Sequence, residues 1–466
     1  MTATATRAQQ GFDRRLTAPL ILGSVLNPIN SSMIAVSLIP IGLAFGAPPA
    51  QTVWLVSALY LATAVGQPVV GRLVDLYGPR RLYLLGTGLV GIAGLLGALA
   101  PSLGVLVAAR VLLGFGTCAA YPAAMYLLRS ESARTGIDSP RFVLTALAIA
   151  NHTVVVIGPT LGGLLIGLGG WRTIFTVNIP LAAACLVLGA LRLPRTTTAP
   201  GSRERGLDVP GMVLFAVTLT ALLLFLMDPS AQAWYLPLAA VAAAVALVVR
   251  ELRHRAPFLD LRLLGGNVPL LATYVRQLLQ STVTYAFLYG YVQWLEAGRG
   301  LSPSSAGLLL LPMSVSAVIA SAVSGRRPQL RGTLVVGGIL MIAATVVLLA
   351  VQPDTALWVL IGLGVLVGLP QGLLGLANQN ALYRQAEPAR MGSSAGLLRT
   401  FTYLGAIAAS AVVAAGFADG ASTAGLHHLT EVMLGCAVAL LVVTLLDRSL
   451  RWSGVTPVAR QENGTS

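Results

Sequence analysis

Residues 71–81 read Gly71-Arg72-Leu73-Val74-Asp75-Leu76-Tyr77-Gly78-Pro79-Arg80-Arg81, a short charged loop set between two long apolar runs. Gly78 and Pro79 favour a turn, and Gly71 leaves room for a neighbouring helix to come close. Asp75, among Arg72, Arg80 and Arg81, can hold a charge network at a membrane face; an ordinary basic loop is the alternative. Outward from this loop, apolar runs recur from Leu16 to Leu446, many longer than the roughly 18 residues that suggest a spanning helix. The chain has 466 residues, 56% hydrophobic and 10% charged, with a mean hydropathy of +0.81. A soluble domain carries about 25% charged residues, so this inventory cannot cover a water-facing surface. Soluble enzymes, nucleic-acid binders and disordered scaffolds are excluded, and a polytopic membrane protein is expected.

Breaks at Pro, Gly and charge clusters divide the chain into about fourteen spans. Backbone in hydrocarbon must satisfy its own hydrogen bonds, so these are expected to be helices; the ten-residue alternation of a barrel is absent. The net charge is +14 and all 30 basic residues are Arg. With the N-terminus inside, nearly all of them fall in inner loops or tails. Arg172 and Arg299 lie outside, and Arg110, Arg276 and Arg399 lie within spans. The positive-inside rule therefore predicts both termini in the cytoplasm of a cell with an inner membrane, and an even span count. The first apolar run reads as a retained helix that also directs insertion. Cys118, Cys185 and Cys436 each lie in an apolar run, which argues for buried free thiols rather than a disulfide framework or zinc site. His427 and His428 in an outer loop do not specify a metal, so no metal and no cofactor is expected.

Two polar stretches, 194–208 and 250–262, flank one helical hairpin. The expected organisation is a six-helix bundle over 1–195, an inserted hairpin with its flanking loops over 196–266, and a second six-helix bundle with its tail over 267–466. Equal halves suggest a transporter built from repeats, its site between them near the midplane.

Several polar residues interrupt the spans. The first helix carries Asn27, Pro28, Asn30, Ser31 and Ser32, and Asn27, Asn30 and Ser31 share a face; they either line a site or heal the kinked backbone. Arg110 lies at lipid depth in Arg110-Val111-Leu112-Leu113-Gly114, where an Arg faces a cavity or partner, or snorkels. The fifth helix carries Gly158-Pro159-Thr160-Leu161-Gly162-Gly163, in which Pro bends the helix and the glycines admit a close neighbour. His152, in the same helix, has an intrinsic pKa near neutrality. Glu296 lies in the last turn of the seventh helix; partial desolvation there raises a carboxyl pKa, unless it is a solvated rim residue paired with Arg299. Arg276, Gln280, Tyr285 and Tyr289 follow one another along the seventh helix, Gln371 lies in the tenth, and Arg399 precedes Thr400 and Tyr403 in the eleventh.

The 71–81 loop resembles the hallmark Gly-x-Leu-Ala-Asp-Arg-x-Gly-Arg-Arg of the major facilitator superfamily. Gly71, Leu73, Asp75, Gly78 and Arg80 match; Leu76 and Pro79 depart. The resemblance implies a conformational latch made by Gly71, Asp75, Gly78 and Arg80, one-sided because the 325–331 loop of the second half has no Asp. Arg110 with Gly114 is similar to the family's fourth-helix motif, which implies a role in proton coupling. Gly158, Pro159, Gly162 and Gly163 resemble the antiporter motif. Residues 170–180, with Trp171, Arg172, Phe175, Asn178 and Pro180, resemble a signature of the fourteen-spanner drug:proton antiporters, the multidrug-efflux type associated with antibiotic resistance.

These resemblances imply an all-α major facilitator fold, with two six-helix bundles and an inserted hairpin, and alternating access driven by a proton gradient. The antiporter branch usually places an Asp near Asn27, and Asn cannot titrate, so Arg110, Glu296 and His152 become the coupling candidates. Asn27, Asn30, Arg276, Gln280, Tyr289, Gln371 and Arg399 become the substrate-binding candidates. Three Arg without an intramembrane acid should repel cations, so the expected cargo is amphipathic and anionic, zwitterionic or neutral. Anionic lipids at the cytoplasmic face and a monomeric state complete the expectation. Uptake of an anionic or neutral solute by symport or uniport is the rival.

Overall fold

The computed structural model describes residues 13–52, 54–135, 141–195, 207–227, 231–254, 257–259, 261–301, 303–325, 329–417 and 420–451. Among them every regular element is a helix. Helix α1 (Thr17–Met33) passes through a 3₁₀ turn, Ile34–Ser37, into α2 (Leu38–Phe45) with a bend of 62°. Pro28 lacks an N–H, and the neighbouring polar side chains fold back onto the helix's own carbonyls. Asn30 Nδ2 donates to Leu26 O at 2.8 Å, Ser31 Oγ to Asn27 O at 3.0 Å and Ser32 Oγ to Pro28 O at 2.8 Å, which keeps the irregular backbone satisfied.

The chain continues through α3 (Trp54–Tyr77), α4 (Pro79–Ala98), α5 (Leu103–Thr117), α6 (Ala120–Thr135), α7 (Arg141–Gly169) and α8 (Asn178–Arg192). Gly78, at φ 89°, makes the sharp corner between α3 and α4, with Pro79 opening the second helix. Helices α9 (Val209–Met227) and α10 (Tyr235–Arg253) form the hairpin, and α11 (Val268–Gln293), α12 (Pro303–Ser324), α13 (Leu330–Leu349), α14 (Leu357–Gln385), α15 (Met391–Gly416) and α16 (Thr423–Leu446) follow. Among the described residues ten segments are long and apolar enough to cross a membrane and the bent α1–α2 pair makes an eleventh, which by length and composition alone does not reach the expected fourteen. Of the others, α11 is diluted by Arg276, its Gln residues and its Thr residues, and the described apolar stretch of α9 is Val209–Phe225.

Packing sorts the helices into two groups. In the first, α1 packs on α7 and α8, α4 on α5 and α8, and α3 on α5; in the second, α14 joins α12 and α13, and α11 joins α15 and α16. The groups meet where α3 and α6 pack on α15, and where α7 packs on α12 and α14. A continuous apolar core bridges them towards the Arg-rich loops, joining Tyr83, Leu127 and Leu128 to Leu376, Tyr383 and Leu398.

The hairpin is fastened at its Arg-rich end. Asp208, just ahead of α9, accepts from Gly211 N at 3.0 Å and from Arg250 Nε at 2.9 Å, with Arg250 Nη2 at 2.7 Å. Burial pushes this carboxyl's pKa up, but the Arg250 and Gly211 hydrogen bonds, with the nearby charges of Arg250 and His254, outweigh it and hold the group below its usual value. A depressed folded pKa stabilises above the unfolded value of about 3.9 and is lost as pH falls through the folded one. Detergent-solubilised Asp208→Asn should therefore melt below the wild type at pH 7, with the gap closing towards pH 3; an equal gap at both pH values would contradict this.

Candidate functional site

The residues between the two groups form two layers. The first, at the Arg-rich end, is the set of contacts where a latch is expected. Asp75, near the end of α3, accepts from Gly392 N and Ser393 N at 2.8 Å each and from Ser393 Oγ at 2.5 Å. These are first-turn amides of α15, which have no partner within their own helix, and the positive end of that helix favours a carboxylate. The approach is possible because two glycines meet: a Cβ on Gly71 would run into Gly392 O, and one on Gly392 into Gly71 O and Asp75. Arg80, expected in the same latch, instead donates from Nη2 to Ala190 O at 2.7 Å and ties α4 to α8. The reason is position: it sits beyond the Gly78 corner, in the first turn of the next helix. Further links lie alongside. Tyr383 OH donates to Leu128 O at 3.1 Å, with Arg129 Cζ 5.4 Å from its ring centre. Gln379 Nε2 donates to Tyr121 OH at 3.1 Å.

The second layer is a tyrosine-rich polar cluster near mid-span. Asn27 is its node, donating from Nδ2 to Thr117 Oγ1 at 2.9 Å and accepting at Oδ1 from Tyr403 OH at 2.9 Å, across the two groups. Tyr60 lies 5.8 Å from the Tyr403 ring and near Ser31 and Tyr289; Tyr289 in turn lies 5.7 Å from Tyr285. Arg399 places its guanidinium 4.2 Å over the Tyr121 ring and lies near Tyr285 and Tyr403. Arg110 is buried at 1% exposure. Its Nε donates to Leu55 O at 2.7 Å and its Nη1 to Asn30 O at 3.3 Å, while Nη2 has no partner.

Asn27, Tyr289 and Arg399 thus come together as the sequence suggests, with Arg110 adjacent through Tyr60. Other candidates go elsewhere. Asn30 forms a buried amide pair with Asn178, at 2.6 and 2.9 Å, inside the first group; this explains the Asn of the 170–180 signature. Arg276 is not uncompensated: its Nη1 meets Asp447 Oδ2 at 2.8 Å, both side chains buried, and its Nη2 meets Thr273. The acid was hidden because it lies 171 residues away, just past the end of α16. Gln280 donates to Gln371 O at 3.3 Å and accepts from Asn378 at 3.0 Å within the second group. Gln371 keeps a buried, unpartnered Oε1. Glu296 sits in a π turn, Trp294–Gly298, and its expected partner Arg299 turns to Thr355 O at 2.7 Å. Gly158 and Gly162 receive α1 closely, against Ser32 and Met33, whereas Gly163 faces open space. The side chains of His152 and Pro159 lie outside the described residues. Tyr60 and Tyr121 were missed; the available signal was a tyrosine hydroxyl inside an apolar run, which needs a partner when buried.

The model of the Major Facilitator Superfamily matches residues 20–410. The chain belongs to this superfamily. It is 32% identical over 433 residues to the uncharacterized MFS-type transporter YwoD of Bacillus subtilis (strain 168), covering 91% of this chain and 94% of that one. It is 30% identical over 429 residues to the lincomycin resistance protein of Streptomyces lincolnensis, covering 89% and 87%. Among solved structures it superposes on the human organic anion transporter MFSD10 (TETRAN) with a TM-score of 0.68 at 16% identity, over 93% of this chain and 100% of that one, a likeness of fold. The chain is thus a multi-pass membrane transporter of this superfamily rather than an enzyme.

The latch is testable in a member of this superfamily without knowing its cargo. Asp75→Ala removes three hydrogen bonds between the groups and leaves two first-turn amides unpaired, a loss of about 1–3 kcal/mol. A cysteine at Gln379, behind the latch, should then react several-fold faster with a water-soluble maleimide; an unchanged rate would show that Asp75 does not hold the two groups together.

Proposed function

We propose that the chain is an exporter of small amphipathic compounds in a bacterial cytoplasmic membrane, working by proton antiport and alternating access. In this reading α7, α9 and α11 also cross the bilayer, which makes fourteen spans with both termini in the cytoplasm. The Arg-rich end is then the cytoplasmic end, and the hydrogen bonds between the groups, from Asn27–Tyr403 to Asp75–Ser393, belong to a state closed on that side. Rupture of the latch and tilting of the bundles produce the opposite state. Differential binding of proton and cargo to the two states supplies the coupling.

The observation that carries the reading is the mid-span layer: a tyrosine-walled cluster between two bundles with Arg399 and Arg110 beside it. Among the described residues the buried acids are Asp75, Glu131, Asp208, Glu251 and Asp447, and none hydrogen-bonds to this layer. A site with guanidinium groups and no carboxylate disfavours a permanent cation, so the cargo is anionic, zwitterionic or neutral. The partnerless Nη2 of Arg110 and Oε1 of Gln371 are a donor and an acceptor that a polar cargo group can satisfy. The relative named for lincomycin resistance supports export, and the Gly158–Gly163 motif supports antiport. The loss of Arg276 from the unpaired set narrows the charge argument to two residues.

The same lack of a central acid favours the second reading, uniport or symport. Flux into everted vesicles under an imposed pH gradient decides between them. Accumulation that collapses with the gradient is expected; downhill flux indifferent to the gradient selects uniport, and gradient-driven efflux from the same vesicles selects symport. Arg399→Gln should lower accumulation at least tenfold for an anionic probe such as carboxyfluorescein and much less for a neutral one. Glu296→Gln and His152→Gln, measured in parallel, assign the coupling group: the responsible one loses gradient dependence but keeps exchange.

A further inference from the structure

The hairpin is more than a connector. Its inner helix, α9, packs on α3 from one bundle and on α15 from the other. Leu223 has no exposed surface and sits in a cluster with Ala64 and Tyr403, ringed by Tyr60, Leu61, Leu404 and Ile407. Towards the Arg-rich end Met212, Phe215 and Leu219 continue the seal against Val65, with Leu61, Val69 and Leu404 around them. Phe258, after α10, closes the end with its ring 5.5 Å from Phe215 and T-shaped to it. Helix α10 lies outside, exposing Leu238, Val241, Val245, Val248 and Val249. Two of the residues behind Leu223 also belong to the polar layer: Tyr403, whose hydroxyl donates to Asn27, and Tyr60, which lies near Tyr289.

We infer that α9 is a lateral plug: it covers the membrane-facing seam where α3 meets α15, and when the bundles part along that seam Leu223 with Leu219 sets the size of apolar solute that can pass between bilayer and pocket. This rests on the reading of the mid-span layer as a cargo site, and it adds a substrate class, solutes already dissolved in the lipid. The chemistry suits the task. Between Val209 and Met227 the helix has no charged residue, as expected of a helix enclosed by apolar surroundings. Its contacts with both bundles are dispersion contacts, weak singly and without direction, so α9 can slip along α3 or α15 when the bundles tilt. The Asp208–Arg250 ion pair lies within the hairpin itself.

The test needs no transported compound. With Cys118, Cys185 and Cys436 replaced by Ala, a single cysteine is placed at Ala64, directly behind Leu223, and the protein is reconstituted into phosphatidylcholine vesicles. Lipid-soluble N-phenylmaleimide should label it slowly, and at least fivefold faster when Leu219→Ala and Leu223→Gly empty the plug, while a sulfonated, membrane-excluded maleimide shows no such rise. If that pair does not accumulate as monodisperse protein, Leu223→Ala alone carries the test, with at least a twofold rise. Unchanged labelling by N-phenylmaleimide, or an equal rise with the charged reagent, overturns the plug. A rise in labelling with no gradient-linked flux in everted vesicles would keep the plug and sink the transport reading, so the two failures are distinguishable.

Discussion

A carboxylate set against the opening turn of a helix holds the two bundles together. Asp75 fills the place that water would otherwise take at Gly392 and Ser393, satisfying two amides that α15 cannot satisfy itself. The interaction is strong because it is charge-assisted and buried, and reversible because both partners can be rehydrated when the bundles part. It depends on backbone touching backbone: Gly71 and Gly392 face each other with no side chain between. The rest of the interface is arranged around this point, with Tyr383, Gln379 and Thr400 adding single hydrogen bonds across the same seam.

The Arg residues inside the spans are held in two different ways. Arg276 is fully neutralised by Asp447 and bonded by Thr273 and Asn378, a buried network that fixes the second bundle's helices to one another. Arg110 and Arg399 have no carboxylate partner among the described residues. Arg110 spends two donors on backbone carbonyls of α1 and α3, the first of them Asn30 O just before the α1–α2 break, and keeps one unspent. Arg399 rests on the face of Tyr121, where the ring quadrupole offsets part of its charge.

Much of this was legible in the residues. The 71–81 loop pointed to the fold and to Asp75, and the polar first helix to Asn27, and both residues lie where the two groups meet. What the sequence could not reveal were pairings across long separations. Asn30 meets Asn178, and Arg276 meets Asp447, at separations of 148 and 171 residues, so both looked free and functional when read along the chain. Arg80 misled for the opposite reason: adjacency to Asp75 in sequence suggested contact, but the Gly78 corner turns it onto α8. Tyr60 and Tyr121 escaped notice because a single tyrosine in an apolar run is common. Their importance arises only where four helices bring such rings to one layer.

The central claim is that two rigid bundles rock about the Asn27–Tyr403 layer, closing one end as the other opens. Double electron–electron resonance with spin labels across each end, at Tyr77 and Glu387 beyond the latch and at Trp54 and Glu296 at the far end, measures this directly. In reconstituted wild type and in Asp75→Ala the account predicts opposite changes: the 77–387 distances lengthen as the 54–296 distances shorten. Distances that change together at both ends, or that do not respond at either, would contradict it.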